Sequence, residues 1–477
     1  MADSPSTPHS PLQDTTDLSI KGWLWLVFGA LCVGLLTGLL GSAFRATLMF
    51  ADHWRGVFIA MVHGYPAGWL LVMVSAAFLV GIATWLVQFA PLAAGSGVPR
   101  VESVLRDELE PAPKHIIPVK FFGGSLAIGS GLALGPEGPA VQMGAVVGDW
   151  ISRWIPGIKD DLYVLMAAGA GAGLATAFNA PIGGAAFVFE EMMQGFNSRL
   201  LTATTISCTT AIAVARLVLG PEPTFSVAPL AAPPIANLPL YAVLGLVCGL
   251  VGVAYNRTIL ATLNAFDAFD HWPRSLKGAL VGAGVGLLAW FLPHLVGSGG
   301  NIAQTILSAE AVVWLVLPAL LIRFILGPLS SAAGAPGGLF APLLVLGAQL
   351  GFLGGTLGHT LIPNLVTEAT SFTVVGMAAF FTASVRSPFT CIFLVVEMTD
   401  SVQLLLAMLA AASMAYAVPT LLGNQPIYAA LGERRNTIVG KLHAWPIYTA
   451  LSERQVVAQN KQDFKEGSPS LPRKGRR

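Results

Sequence analysis

The sequence predicts an all-α protein that crosses a membrane many times. Of its 477 residues 54% are hydrophobic and only 11% charged, with mean hydropathy +0.70. Soluble domains carry roughly 25% charged residues, so most of this chain must meet hydrocarbon. Long stretches lack Asp, Glu, Lys and Arg: Trp23 to Phe44, Val57 to Pro99, Leu162 to Phe189 and Phe324 to Val366. One span needs about 20 apolar residues. The second and fourth runs are about twice that length and contain internal Gly and Pro, so each must hold two or more segments. A membrane β-barrel would show short alternating segments instead.

The first 20 residues are rich in Ser, Thr, Pro and Asp and have no basic n-region, so they read as a disordered cytoplasmic arm rather than a cleavable signal. Spans follow from Trp23 onward. Between them, Gly95-Ser96-Gly97 opens one helix. Leu-Gly-Pro-Glu-Gly-Pro-Ala at 134–140 sets one acid, Glu137, among four helix breakers. A carboxylate at membrane depth is costly and usually lines an ion or proton path. The break lets a new helix start at Pro139 and run through Trp150, its free N–H groups pointing back at the acid, which is the geometry of an anion site.

Pro221 to Pro239, with six prolines, reads as a linker. Three patterns recur across it. Gly95-Ser96-Gly97 returns as Gly297-Ser298-Gly299, 202 positions on. The Gly/Pro break at 135–138 returns as Gly334-Ala335-Pro336-Gly337-Gly338. Pro181 with Glu190, Glu191 and Met192 is echoed by Pro388, Glu397 and Met398, at an offset of 207. Three echoes in one order argue for a duplication, with halves at about 21–220 and 237–432. Duplicated halves with interrupted helices are a transporter pattern, the site lying where the repeats meet. The tail, 433–477, is basic from Arg434 to Arg477 and predicts a cytoplasmic C-terminus.

Other chemistry is scarce. Cys32, Cys208, Cys248 and Cys391 lie far apart in apolar sequence and read as buried hydrophobes. The eight histidines have no ligand spacing, so neither a metal nor a cofactor is expected. A net charge of +1 gives no reason to expect a nucleic-acid partner. An intramembrane enzyme would need a nucleophile beside a base, and Gly95-Ser96-Gly97 has no His or Lys at helical spacing; the sequence reads as no enzyme.

Taken in order, the motifs resemble the CLC family of chloride channels and chloride/proton exchangers over residues 20–432. Those that carry the resemblance are Gly95-Ser96-Gly97-Val98-Pro99, Val119-Lys120-Phe121-Phe122-Gly123-Gly124 and Gly135-Pro136-Glu137-Gly138-Pro139. Phe178-Asn179-Ala180-Pro181 through Glu190-Glu191-Met192, Gly338-Leu339-Phe340-Ala341-Pro342, and Tyr428 in Gln-Pro-Ile-Tyr complete the set. The resemblance implies two inverted-topology repeats with tilted and broken helices, and a homodimer with one pathway per subunit. With only 45 residues after Gly432, no paired regulatory domains are expected.

It also implies residue roles. Chloride would be bound by Ser96, Gly138, Leu339, Phe340 and Tyr428. Neutral donors suit an ion that must leave again, whereas a lysine would hold it too tightly. Ser96 is also readable as a helix N-cap, and Tyr428 as an interfacial anchor. In the family serine at the Ser96 position favours chloride, while proline there goes with nitrate. Glu137 matches the external gating glutamate, and Glu191 the internal proton station found in exchangers. Glu190 lies about 100° round the helix from Glu191, and its echo in Glu397 marks it as structural. The expected activity is exchange of chloride for protons in a bacterial inner membrane; a voltage- or pH-gated passive chloride channel is the alternative, against which Glu191 argues.

Two departures from the family pattern matter. Pro136 stands where many relatives carry Arg or Lys, which removes a charge near the outer mouth and stiffens the hinge of the gate. Arg100 follows Pro99 where an acid is familiar, so a more positive inner vestibule is expected. Lys120 reads equally as buried positive potential or as the partner of an acid.

Overall fold

The computed structural model describes residues 19–155, 161–269, 271–308, 311–366 and 368–434. The expectations for the N-terminal arm and the basic tail fall mainly on 1–18 and 435–477, outside these. By packing, the chain divides into two units, Met1–Ile427 and Tyr428–Arg477.

Among its described residues the first unit is built of helices and loops. Its helices are α1 (Ile20–Val62), α2 (Gly68–Leu86), α3 (Val98–Leu105), α4 (Ile116–Gly129), α5 (Glu137–Trp154), α6 (Leu162–Phe178), α7 (Pro181–Phe187) and α8 (Ser198–Leu219). There follow α9 (Leu238–Asp267), α10 (Arg274–Phe291), α11 (Gly300–Leu307), α12 (Val313–Ala332), α13 (Phe340–Leu361), α14 (Ala369–Val385), α15 (Pro388–Thr399) and α16 (Leu405–Leu421). Seven of the described helices are long and apolar enough to cross a membrane. The long uncharged runs divide as expected: 57–99 holds the end of α1, all of α2 and two 3-10 turns, and 324–366 holds the end of α12 and α13.

Among the described residues, α1 to α8 match α9 to α16 in order. α1 packs on α8 as α9 packs on α16, and α5 on α6 as α13 on α14. Close approach is bought at the same positions: a Cβ on Gly144 would lie 2.0 Å from the Gly169 carbonyl oxygen, and one on Gly347 would lie 2.4 Å from that of Gly376. Small residues are what let membrane helices touch backbone to backbone. The loop glycines match too, with positive φ at Gly95 and Gly97 and at Gly297 and Gly299.

Equivalent helices run in opposite directions, which makes the repeats inverted. Glu397, near the end of α15, accepts from Ile182 N (3.0 Å) and Gly183 N (2.8 Å) at the start of α7. Glu190, just past the end of α7, accepts from Phe389 N (3.1 Å) and Thr390 N (2.7 Å) at the start of α15. Each helix therefore has its first amides capped by the other's far end. The structural reading of Glu190 agrees with this clasp.

Two local expectations change. The helix after the central break starts at Glu137, with Pro136 as N-cap, not at Pro139. Proline is tolerated in the first turn because its missing N–H is one that a helix start leaves unused anyway. The N-cap of α3 is Gly97, in a left-handed conformation, not Ser96.

Candidate functional site

The breaks before α5 and α13 meet start to start. Gly135 N donates to Gly338 O (2.9 Å) and Gly338 N donates to Gly135 O (2.8 Å), so two peptide units tie the breaks together. Between them lies the fully buried Glu137 carboxylate. Its Oε1 accepts from Phe340 N at 2.6 Å, with the amides of Ala341 and of Glu137 itself also in reach. Its Oε2 has no hydrogen-bond partner among the described residues. The slot has no room for side chains: a Cβ on Gly338 would lie 2.0 Å from Oε1, and one on Gly135 would lie 2.0 Å from Oε2. A single carboxyl group thus sits on main-chain donors at a helix start, where unsatisfied N–H groups and the helix dipole both favour an anion.

The third wall is the loop of Ser96. A Cβ on Gly138 would lie 2.6 Å from Ser96 O and 2.8 Å from its Oγ, so serine and helix start are in contact. Ser96 Oγ is buried and has no hydrogen-bond partner among the described residues. The loop is held from behind. Lys120 Nζ, on α4, donates to Gly95 O (2.7 Å) and Ser96 O (3.1 Å). Gly337 N donates to Gly95 O from the second break (3.2 Å). Lys120 is therefore an anchor for carbonyls that also brings positive charge beneath Ser96. Arg323, 203 positions on, grips Gly297 O (2.6 Å) and Ser298 O (2.9 Å) in the matching loop.

Phe340 closes the pocket with an aromatic wall. Its ring packs on Phe178, Phe187 and Phe381, with centroids 6.4, 5.8 and 4.4 Å away. Leu339, the N-cap of α13, is buried beside it in sequence. Five of the residues singled out from the sequence, Ser96, Glu137, Gly138, Leu339 and Phe340, thus belong to one convergence of three loops. Tyr428, the first residue of the second unit, is fully buried and helical.

Glu191 occupies a second polar centre. It lies in a π-helical turn, Val188–Met192, that extends α7. Such turns insert one residue into the ladder and are frequent at functional sites. Here the turn lets two successive acids both reach the start of α15: Glu190 caps its amides, and Glu191 Oε2 accepts from Ser387 Oγ. α3 links the two centres in the sequence, since its first residues follow Ser96 and its body packs on both α5 and the π-turn. On α3, Glu102 is bonded to Arg106 at 2.5 Å. Arg100 turns Nη2 to Glu110 O (2.9 Å), so this guanidinium is engaged by the backbone near the end of the α3 loop.

Two residues of these centres escape a reading of motifs. Gln142 donates through Nε2 to Leu92 O (3.1 Å) and sets its Oε1 against Gly97, where a Cβ would lie 2.1 Å away. Ser387 is the other, and only the register of the duplication draws attention to it.

Inverted repeats whose broken helices meet around main-chain anion donors define a class of membrane transport protein. The chain belongs to the CLC family: the family model described as voltage gated chloride channel matches residues 76–420. The H(+)/Cl(-) exchange transporter ClcA of Vibrio cholerae is 37% identical over 418 residues, covering 86% of this chain and 89% of the relative. The protein of that name from Salmonella paratyphi A is 36% identical over 418 residues, covering 86% and 88%. Among solved structures, a slow cyanobacterial Cl-/H+ antiporter superposes with TM-score 0.82 at 31% identity, covering 86% of this chain and 98% of the other. A eukaryotic CLC transporter, at TM-score 0.75, 24% identity and 87% and 75% coverage, shares the fold.

Proposed function

We propose that this protein exchanges chloride for protons across a bacterial inner membrane, with Glu137 as the external gate and Glu191 as the internal proton station. The observation that carries the reading is the Glu137 carboxylate seated on the amides at the start of α13, within contact of the Ser96 loop through Gly138. A charged carboxylate there occupies the place of a halide. Once protonated it loses its charge attraction to the helix start, leaves, and carries the proton with it while chloride enters. Occupancy by acid and by halide is then mutually exclusive, and that exclusion couples the two flows.

Ser96 supplies a hydroxyl donor whose hydrogen is not committed elsewhere among the described residues. Gly138, Leu339 and Phe340 supply main-chain donors at the two helix starts. Neutral donors hold an anion without trapping it. Glu191 supplies protons from the inner face. The names of the ClcA relatives support this assignment of ions, and the organisms that carry them support the inner membrane. The protein acts as a homodimer with one pathway per subunit, its C-terminus in the cytoplasm, and without a cofactor.

The test is proton uptake driven by a chloride gradient in liposomes holding the purified protein. Uphill proton movement is expected. Chloride flux whose reversal potential ignores the proton gradient would instead assign a passive channel.

A further inference from the structure

The clasp between α7 and α15 is symmetric in the main-chain amides that its two acids cap, but not in its side chains. Glu190 and Glu397 are 207 positions apart, as are the amides they cap, Ile182 with Phe389 and Gly183 with Thr390. The same offset pairs Glu191 with Met398 and Ser387 with Ala180, the N-cap residues of α15 and α7. Met398 and Ala180 are both buried, so the apolar version of this corner packs well in the same fold. The packing of the clasp does not require a polar pair. Only the half that bears the proposed proton station has one.

We infer that Ser387 is the positioning residue of Glu191, a hydroxyl that holds its carboxylate in the orientation from which it exchanges protons. The inference rests on the reading of Glu191 as proton station. An N-cap serine ordinarily turns its oxygen to the amides two and three residues on. At α15 those amides, Phe389 and Thr390, are taken by Glu190, and Pro388 has no N–H to offer. The Ser387 hydroxyl is left for Glu191 and donates to its Oε2. Both side chains are buried, so water is a poor substitute. Because Ser387 can accept as well as donate, it stays bonded whether Glu191 is charged or protonated. The other groups facing Glu191 are Glu102 of α3 and its C-cap residue Arg106, Glu190 of its own turn and, from α15, Cys391. The Ser387 hydroxyl reaches Glu191 from the repeat opposite its own.

Chloride and proton movements recorded together from full-length protein in liposomes test this. Ser387→Ala is expected to slow proton turnover about three- to tenfold more than chloride turnover, the scale of one ordinary net hydrogen bond. Ser387→Thr, which keeps the hydroxyl, should restore the ratio. In a Glu191→Gln background, Ser387→Ala should change nothing further. Equal slowing of both ions, or an added loss in the Glu191→Gln background, would overturn the inference and leave a packing role. If Glu191→Gln alone left coupling intact, the reading of Glu191 would fall, a separate outcome from the Ser387 comparison.

Discussion

At the scale of single residues, the site depends on what glycine leaves out and what one acid puts in. The Glu137 carboxylate fits only because positions 135 and 338 lack side chains. Gly338→Ala should push it off the Phe340 amide and distort the anion pocket, at an overpacking cost of about 1–3 kcal/mol. Chloride affinity by isothermal titration is then expected to fall about tenfold, since ~1.4 kcal/mol is a factor of ten. Glu137→Gln keeps the shape but cannot titrate. Proton coupling should be lost while chloride flux persists; uphill proton pumping by this variant would remove Glu137 from the mechanism. Ser96→Pro deletes the hydroxyl beside Gly138, and nitrate over chloride selectivity in anion-efflux assays should rise. Unchanged selectivity would exclude Ser96 from the pocket.

At the scale of elements, two carboxylates replace the side-chain caps that α7 and α15 lack. Glu397 and Glu190 each satisfy two first-turn amides of the opposing helix. Glu190 also accepts from Thr390 Oγ1 at 2.8 Å. Removing either leaves two first-turn N–H groups unmet, one of them part-buried, a cost of about 1–3 kcal/mol. Glu190→Ala and Glu397→Ala should therefore lower the unfolding midpoint in detergent by similar amounts. A silent Glu397→Ala alongside a severe Glu190→Ala would show that the symmetry is not energetic. Lys120 acts on an element too, because it ties α4 to the loop that aims Ser96. Lys120→Met should weaken chloride binding without abolishing proton coupling, read from titration and paired flux measurements.

At the scale of the molecule, inversion brings two loops 203 positions apart to one place. The starts of α5 and α13 face each other because equivalent helices run in opposite directions, so their positive ends add at the pocket. Crystals soaked in bromide should show anomalous density bounded by Ser96 and the two helix starts. Glu137→Ala, which vacates the acid's place, should add a second peak between Gly135 and Gly338. A map with density in neither place would refute the pocket.

Composition determined that the chain lives in a membrane, because 11% charge leaves hydrocarbon as the only solvent for most of it. Echoed motifs determined that it is duplicated, and Glu137 among its breakers stood out because a lone acid at that depth is too costly to be idle. Spacing could not say that helix α5 begins at Glu137 itself, since proline is as compatible with the residues before as with those after. Nor could it assign Lys120 to the carbonyls behind Ser96, turn Arg100 to Glu110, or pair Ser387 with Glu191. Those contacts join residues as much as 196 positions apart, and which distant groups satisfy a buried polar atom is decided only when the helices have packed.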